Sequence, residues 1–327
     1  MKKLKKIPLI LTILSIVTFI APVSADVKVV TTIKPIHSLA SYLMDGIGKP
    51  DLIVDGYASP HGFSMKPSHA KMLQNADLIF WVGEDLENFL EKPLNSIAKK
   101  AEKIELMATK GIQVLKFREI NIFDGHDDHD DHDGHAKKKK DGHDDHDDHD
   151  GHDDHEGHAH GEFDPHIWLD PINAKVILFE MSKHLIELDA KNESVYRDNL
   201  SKAYKEIDNL TKDVTAELNK SVASIVFHDA YQYFEKRFNV NILGAFTVNT
   251  DVMPGAEQLA EIREIIEHDK VSCVFSEPQF NPDIIKAVAK DMNIKTGVVD
   301  PLGATLNPGK DLYFKLIRNM SSSFKGC

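Results

Sequence analysis

Eighteen histidines are spread very unevenly over these 327 residues, and imidazole is the commonest protein ligand for a transition metal at neutral pH. Eleven fall between residues 124 and 162. There the string DGHDDHDDHDGH, residues 124–135, recurs identically at 141–152, separated by Ala136 and the lysines of 137–140, and His155, His158 and His160 follow. Ring nitrogens and carboxylate oxygens at this density suit zinc, copper or nickel. The stretch holds no Leu, Ile or Val, so it cannot bury apolar surface and is expected to be a disordered loop that binds metal in many alternative ways. A solvated charge run spread by repeat duplication is the plainer reading, but aspartate alone would supply that without a histidine at nearly every third place.

The remaining histidines are isolated, and what matters is where the elements put them. The first half reads as a β-branched strand over 27–33, a helix opened by Pro35, a short strand over 51–54, a helix opened by Pro67 and a buried strand over 77–82. The second half reads as apolar strands over 223–227, 240–245, 271–275 and 295–299, with helices over 255–268, 282–292 and 308–324. Such alternation predicts an α/β fold, two lobes of parallel sheet flanked by helices. Between the halves, Val195, Leu200, Ala203, Ile207, Leu210, Val214 and Leu218 recur three to five residues apart without Pro or Gly, which predicts one long amphipathic helix joining the lobes.

In that scheme His61 lies beyond the strand ending at Val54, His166 directly follows the histidine-rich insert, and His228 follows the strand ending at Phe227. Asp300 likewise ends the last strand. Ligands of open α/β sheets settle outside the carboxyl ends of strands, so these four positions can converge on one cleft between the lobes. Three neutral imidazoles and one oxygen make a tetrahedral zinc site. The separations of 105, 62 and 72 residues obey no local rule, and an isolated histidine is more often structural, the reading kept for His37, His69, His184 and His268. Asp229 is placed either to orient His228 or to cap the following helix.

Charge and termini set the compartment. Residues 1–6 carry four lysines, residues 7–21 are mostly apolar, and Val23-Ser24-Ala25 offers small residues for cleavage, the pattern of a secretory signal peptide, residues 1–25. An uncleaved anchor is the alternative, but the apolar run is shorter than the roughly 20 residues a spanning helix needs. The net charge of -13 is concentrated in the insert, whose sixteen Asp/Glu and four Lys leave -12. No basic stripe or aromatic-rich basic patch suggests nucleic acid. Cys273 and Cys327 in an oxidising compartment are expected to form one disulfide pinning the C-terminus to a strand, two free thiols being the alternative; they lack the short spacing of a zinc pair. Neither His-Glu-x-x-His nor Gly-x-Ser-x-Gly occurs, which argues against a zinc hydrolase and for a chain that is not an enzyme.

Residues 56–68, 73–83, Asp164-Pro165-His166-Ile167-Trp168-Leu169, His228-Asp229-Ala230-Tyr231 and Glu277-Pro278-Gln279-Phe280, in that order, resemble the zinc-binding periplasmic proteins of bacterial zinc ABC importers. The resemblance covers essentially all of the chain after the leader, including the position of the insert and the cysteine pair. It implies two lobes, residues 26–190 and 221–327, joined by a rigid helix over 191–220, with Zn2+ held by His61, His166 and His228. For the fourth position, zinc members use water or an acidic residue before the first histidine, where this sequence has Pro60. Related manganese and iron binders use an aspartate to which Asp300 corresponds, and Glu277 is a second acidic candidate. Three nitrogens favour zinc over manganese, though copper and nickel fit the affinity order. The implied role is reversible periplasmic capture by a monomeric solute-binding protein that serves a membrane permease; a zinc buffer or metallochaperone without a transporter would carry the same residues. Because the imidazoles must be unprotonated, affinity should fall as pH drops toward about 6.5.

Overall fold

The computed structural model describes residues 27–118, 162–218, 222–247, 250, 255–290 and 292–327. The expected signal segment and all of the histidine-rich insert except Glu162 lie outside the described residues.

Val29–Ile33 forms β1, and its five side chains are all buried, as a central strand covered on both faces requires. Helix α1, Lys34–Leu43, follows at once with Pro35 in its first turn, where the missing N–H costs nothing. Strand β2 (Asp51–Val54), helix α2 (Pro67–Asn75), strand β3 (Leu78–Trp81), helix α3 (Glu91–Ser96) and strand β4 (Glu102–Glu105) complete the first lobe. The order is β2-β1-β3-β4, parallel throughout. Strand β4 escapes sequence reasoning because Glu-Lys-Ile-Glu is not an apolar run. As an edge strand it pairs only with β3, and its charges reach solvent.

Helix α4, Pro171–Leu188, starts with Asp170, whose Oδ1 accepts from the Ile172 amide at 2.8 Å. Helix α5, Glu193–Glu217, is 25 residues long, about 37 Å at 1.5 Å per residue. It buries Tyr196, Asn199, Ala203, Ile207, Leu210 and Val214 along one stripe against α4 and α1. Beyond it come β5 (Ser224–His228), α6 (Gln232–Phe238), β6 (Ile242–Thr247), α7 (Ala256–His268), β7 (Cys273–Ser276), α8 (Asp283–Ala289), β8 (Lys295–Val298) and α9 (Leu312–Lys325). This sheet too is parallel, in the order β6-β5-β7-β8.

The second sheet divides its side chains between two cores. Ile225 and Phe227 on β5 pack with Phe246, Val274, Ile262 and Ile285 beneath α7 and α8. Val226, pointing the other way, joins Phe234, Phe275 and Phe324 in a core continuous with that of the first sheet. Helix α9 ties the two together. Its Tyr313 donates from the hydroxyl to the Trp168 carbonyl at 2.9 Å, and its backbone amide donates to Ser38 Oγ at 2.9 Å. At the other end Ser321 bonds Glu217 on α5, and the Phe324 ring meets Phe275 edge-on at 4.9 Å. Cys273 and Cys327 are joined in a disulfide that fastens the end of the chain to β7. Among the described residues no helix is long and apolar enough to cross a membrane.

Candidate metal centre

His61, His166 and His228 come together with one ring nitrogen of each within 4.8 Å of the others. Each arrives by a different route. His61 stands in the loop after β2, where its amide donates to Ser59 Oγ at 3.3 Å. His166 immediately precedes a short helical turn, Ile167–Leu169, whose three side chains are fully buried and so fix the backbone. His228 is the last residue of β5. The cleft therefore lies at the carboxyl ends of the strands, between the lobes.

Two of the rings are aimed by buried carboxylates. His166 Nδ1 donates to Asp164 Oδ1 at 2.7 Å, and the same oxygen accepts the His166 amide at 2.9 Å. Asp164 is held in turn by Gln232 Nε2 at its other oxygen and by the Tyr233 hydroxyl at its carbonyl. His228 Nδ1 donates to Glu277 Oε1 at 2.7 Å. With Nδ1 protonated on both rings, the two Nε2 atoms face each other at 3.4 Å, presenting lone pairs to a common point, as outer carboxylates do for metal-binding histidines. The ring centroids of all three histidines are 5.3–5.8 Å apart.

Burial shapes the electrostatics. Desolvation pushes the Asp164 carboxyl up to about 7, although the His166 amide, His228 and Arg118 all pull it down. Desolvation holds His166 well below the ordinary imidazole range, with His228 adding to the effect. Desolvation also opposes charge on His228, but the neighbouring Glu277, backed by Asp229 and Asp164, outweighs it and raises that ring. The pair thus favours a positive charge on one ring and not on both, and a metal cation between the Nε2 atoms satisfies the same carboxylates.

The space the three rings enclose is about 10 Å³, lined besides by Trp168, Phe280, Pro301, Leu302 and Glu277. That is about one water-sized sphere, where an organic ligand would need roughly 300 Å³ or more. The site is dimensioned for an ion.

Asp300 is not among the donors within 4.8 Å of one another. Its Oδ1 accepts from the Leu302 and Gly303 amides at 3.2 and 2.9 Å and from Gln279 Nε2 at 3.0 Å, shaping the turn after β8, while its Oδ2 is buried with no hydrogen-bond partner. Asp229 neither orients His228 nor caps the next helix with its side chain. Both its oxygens accept from Arg118 Nε at 3.0 Å. Arg118, the last described residue before the insert, also reaches Glu235 and the Ile242 carbonyl. The Phe117 and Asp164 amides donate to the Glu162 and Leu115 carbonyls across the same gap, so the chain returns from the insert at Glu162, four residues before His166. Sequence reasoning missed the orienting roles of Asp164 and Glu277. The Asp-x-His spacing was the available signal for the first.

A family profile described as "Zinc-uptake complex component A periplasmic" (ZnuA) matches residues 29–327. The chain belongs to the ZnuA family. A Brucella abortus relative named high-affinity zinc uptake system protein ZnuA is 47% identical over 304 residues, covering 91% of each chain. A Yersinia pestis relative of the same name is 35% identical over 306 residues, covering 93% of this chain and 92% of its own. Among solved structures, a ZnuA crystal structure matches with a TM-score of 0.69 at 20% identity, covering 91% of this chain and 99% of that one. A ZnuA deletion mutant with zinc bound matches at 0.70 and 20% identity, covering 92% and 97%. These neighbours share the expected fold of two parallel sheets on either side of a long helix.

Proposed function

We propose that this chain captures Zn2+ in the periplasm between its two lobes and delivers it to the membrane permease of an ABC importer. His61, His166 and His228 bind the ion through ring nitrogens, and Asp300, with one buried oxygen uncommitted, moves in as the fourth ligand. The leader, residues 1–25, is removed near Ala25, and the mature protein, with lobes over 26–190 and 221–327 and a connecting helix over 191–220, acts as a monomer. The histidine-rich insert is a weak reservoir beside the centre.

The observation that carries this reading is the convergence of three imidazoles on an ion-sized, largely apolar space, with two rings held in the metal-ready tautomer by buried carboxylates. Three nitrogen donors suit zinc better than manganese. Helix α5, packed along its length against α1, α4 and α9, resists a wide hinge, so loaded and empty forms would differ in the loops at the cleft. The space there, about 10 Å³, holds an ion rather than an organic substrate, which supports a binding role.

The test is chelator-competition titration of the purified chain and of His61→Ala, His166→Ala and His228→Ala. Each should lose tight zinc binding by more than the roughly 10–100-fold typical of an outer-sphere change, and unchanged affinity in any of the three would overturn the ligand set. Stimulation of ATP hydrolysis by the reconstituted permease reports delivery; its absence would mark the protein as a zinc buffer.

A further inference from the structure

A second group of donors lies away from the cleft, where α4 crosses the edge strand β4. His184, between Glu180 and Glu187 on α4, shares one helical face with both, at spacings of four and three residues, and Glu102 reaches it from β4. Donor atoms of Glu102, His184 and Glu187 all lie within 4.8 Å of one another. His184 Nε2 bonds Glu180 Oε1 at 2.9 Å. That bond engages Nε2 and leaves Nδ1 facing Glu102 and Glu187.

What marks this cluster is how Nδ1 of His184 is placed. It is buried, with Glu102 Oε1 2.7 Å away and Glu187 Oε2 3.9 Å away, and it makes no hydrogen bond. The His184 side chain is only 10% exposed, whereas Glu102 and Glu187 are 39% and 57% exposed. A deep, fixed nitrogen is therefore flanked by two carboxylates that solvent, and an ion, can reach. Three carboxylates surround it, with Lys183 bonded to Glu180 as the neighbouring cation.

We propose that Glu102, His184 and Glu187 form a second, weaker divalent-metal site that takes zinc, with Glu180 as the outer carboxylate that orients the imidazole. Zinc accepts one imidazole and two carboxylates at about 2.0–2.2 Å, with water in the open position. Bringing the ligand atoms to tetrahedral separations asks the two exposed glutamates to move by under about an ångström. A bound ion would clamp the edge strand of the first sheet to α4, where Glu102 and His184 already approach to 2.7 Å. One nitrogen and two solvent-facing oxygens make a site that fills after the three-histidine centre.

The test is zinc-edge anomalous diffraction from crystals of the full chain equilibrated with a few equivalents of ZnCl2, together with 15N-histidine NMR of the same protein in solution. The expected result is a peak between Nδ1 of His184 and the two carboxylates, besides the one at the three-histidine centre, with the His184 Nδ1 resonance moving to that of a metal-bound nitrogen. His184→Gln should abolish this peak and spare the other. Glu187→Gln, on an exposed side chain whose loss leaves the fold intact, should raise the zinc concentration needed to shift the resonance by about tenfold or more. No peak and no resonance shift at zinc levels that fill the main centre several times over would overturn the proposal. So would a peak completed only by a neighbouring molecule in the crystal, or a Glu187→Gln titration identical to the parent's.

Discussion

Glu277 is the most informative residue to perturb, because it touches the centre without being one of the clustered donors. Its Oε1 accepts from His228 Nδ1 at 2.7 Å and, at 3.3 Å, from the His228 amide, and the residue is 2% exposed. Glu277→Gln keeps the shape and an oxygen acceptor but removes the charge, so His228 keeps its tautomer while its Nε2 becomes a poorer donor to the metal. Loss of a charge-assisted bond to a metal-binding histidine costs roughly 10–100-fold in affinity, or about 1.4–2.7 kcal/mol. Glu277→Ala should cost more, since it also frees the ring to turn. The assay is zinc competition against a chelator of matched affinity at pH 8, which keeps proton competition at the imidazoles small and leaves weak sites unread. Parent-like affinity for Glu277→Gln would refute the orienting role. A loss as complete as that of His228→Ala would refute it in the other direction, by making Glu277 a ligand.

Asp300→Asn retains an oxygen for the Leu302 and Gly303 amides while removing the charge; thermal stability should hold while zinc affinity falls, and equal affinity would leave water as the fourth ligand. Deleting residues 124–161 should lower zinc stoichiometry while one tight site persists, read by metal analysis after desalting; loss of the tight site would join the insert to the centre. Breaking the Cys273–Cys327 bond, 54 residues apart in sequence, should lower unfolding free energy by up to about 4 kcal/mol on the loop-entropy estimate, measured by urea denaturation of the double Cys→Ser variant with and without zinc. Burial pushes the Glu87 carboxyl from 4.5 up to about 7, against hydrogen bonds from the Val82 and Gly83 amides. Between those pH values the folded protein keeps a proton that the unfolded chain has lost, so this contribution is whole below pH 4.5 and fades as pH rises through about 7. Glu87→Gln should therefore gain on the parent by on the order of 3 kcal/mol above pH 7, and a difference independent of pH in zinc-free urea titrations would sink that account.

How much of this could be read from sequence follows from what each feature depends on. Buried central strands such as β1 and β5 and the stripe of α5 announce themselves because their apolar periodicity is local. Strand β4 does not, because an edge strand's pattern is set by the solvent on its open side. Helix α4 left a readable start in Asp170-Pro171 that went unread. At the centre, His228 at the end of β5, His61 in the loop after β2 and His166 after the insert were legible as a set only through the topology that gathers strand ends. Their carboxylate partners required register as well. Strands β5 and β7 are paired with Ser224 opposite Cys273, and four residues further on in each lie His228 and Glu277. In a parallel sheet such partners sit on adjacent strands and the same face, whereas Asp229, one residue on, points to the opposite face. It meets Arg118 there. The same step accounts for Asp300. Ser276 pairs with Val298, so Val299 is level with Glu277, and Asp300 falls one residue past the ligand row, where it holds the turn. Adjacency in sequence suggested Asp229 and Asp300; alternation across the sheet selects Glu277.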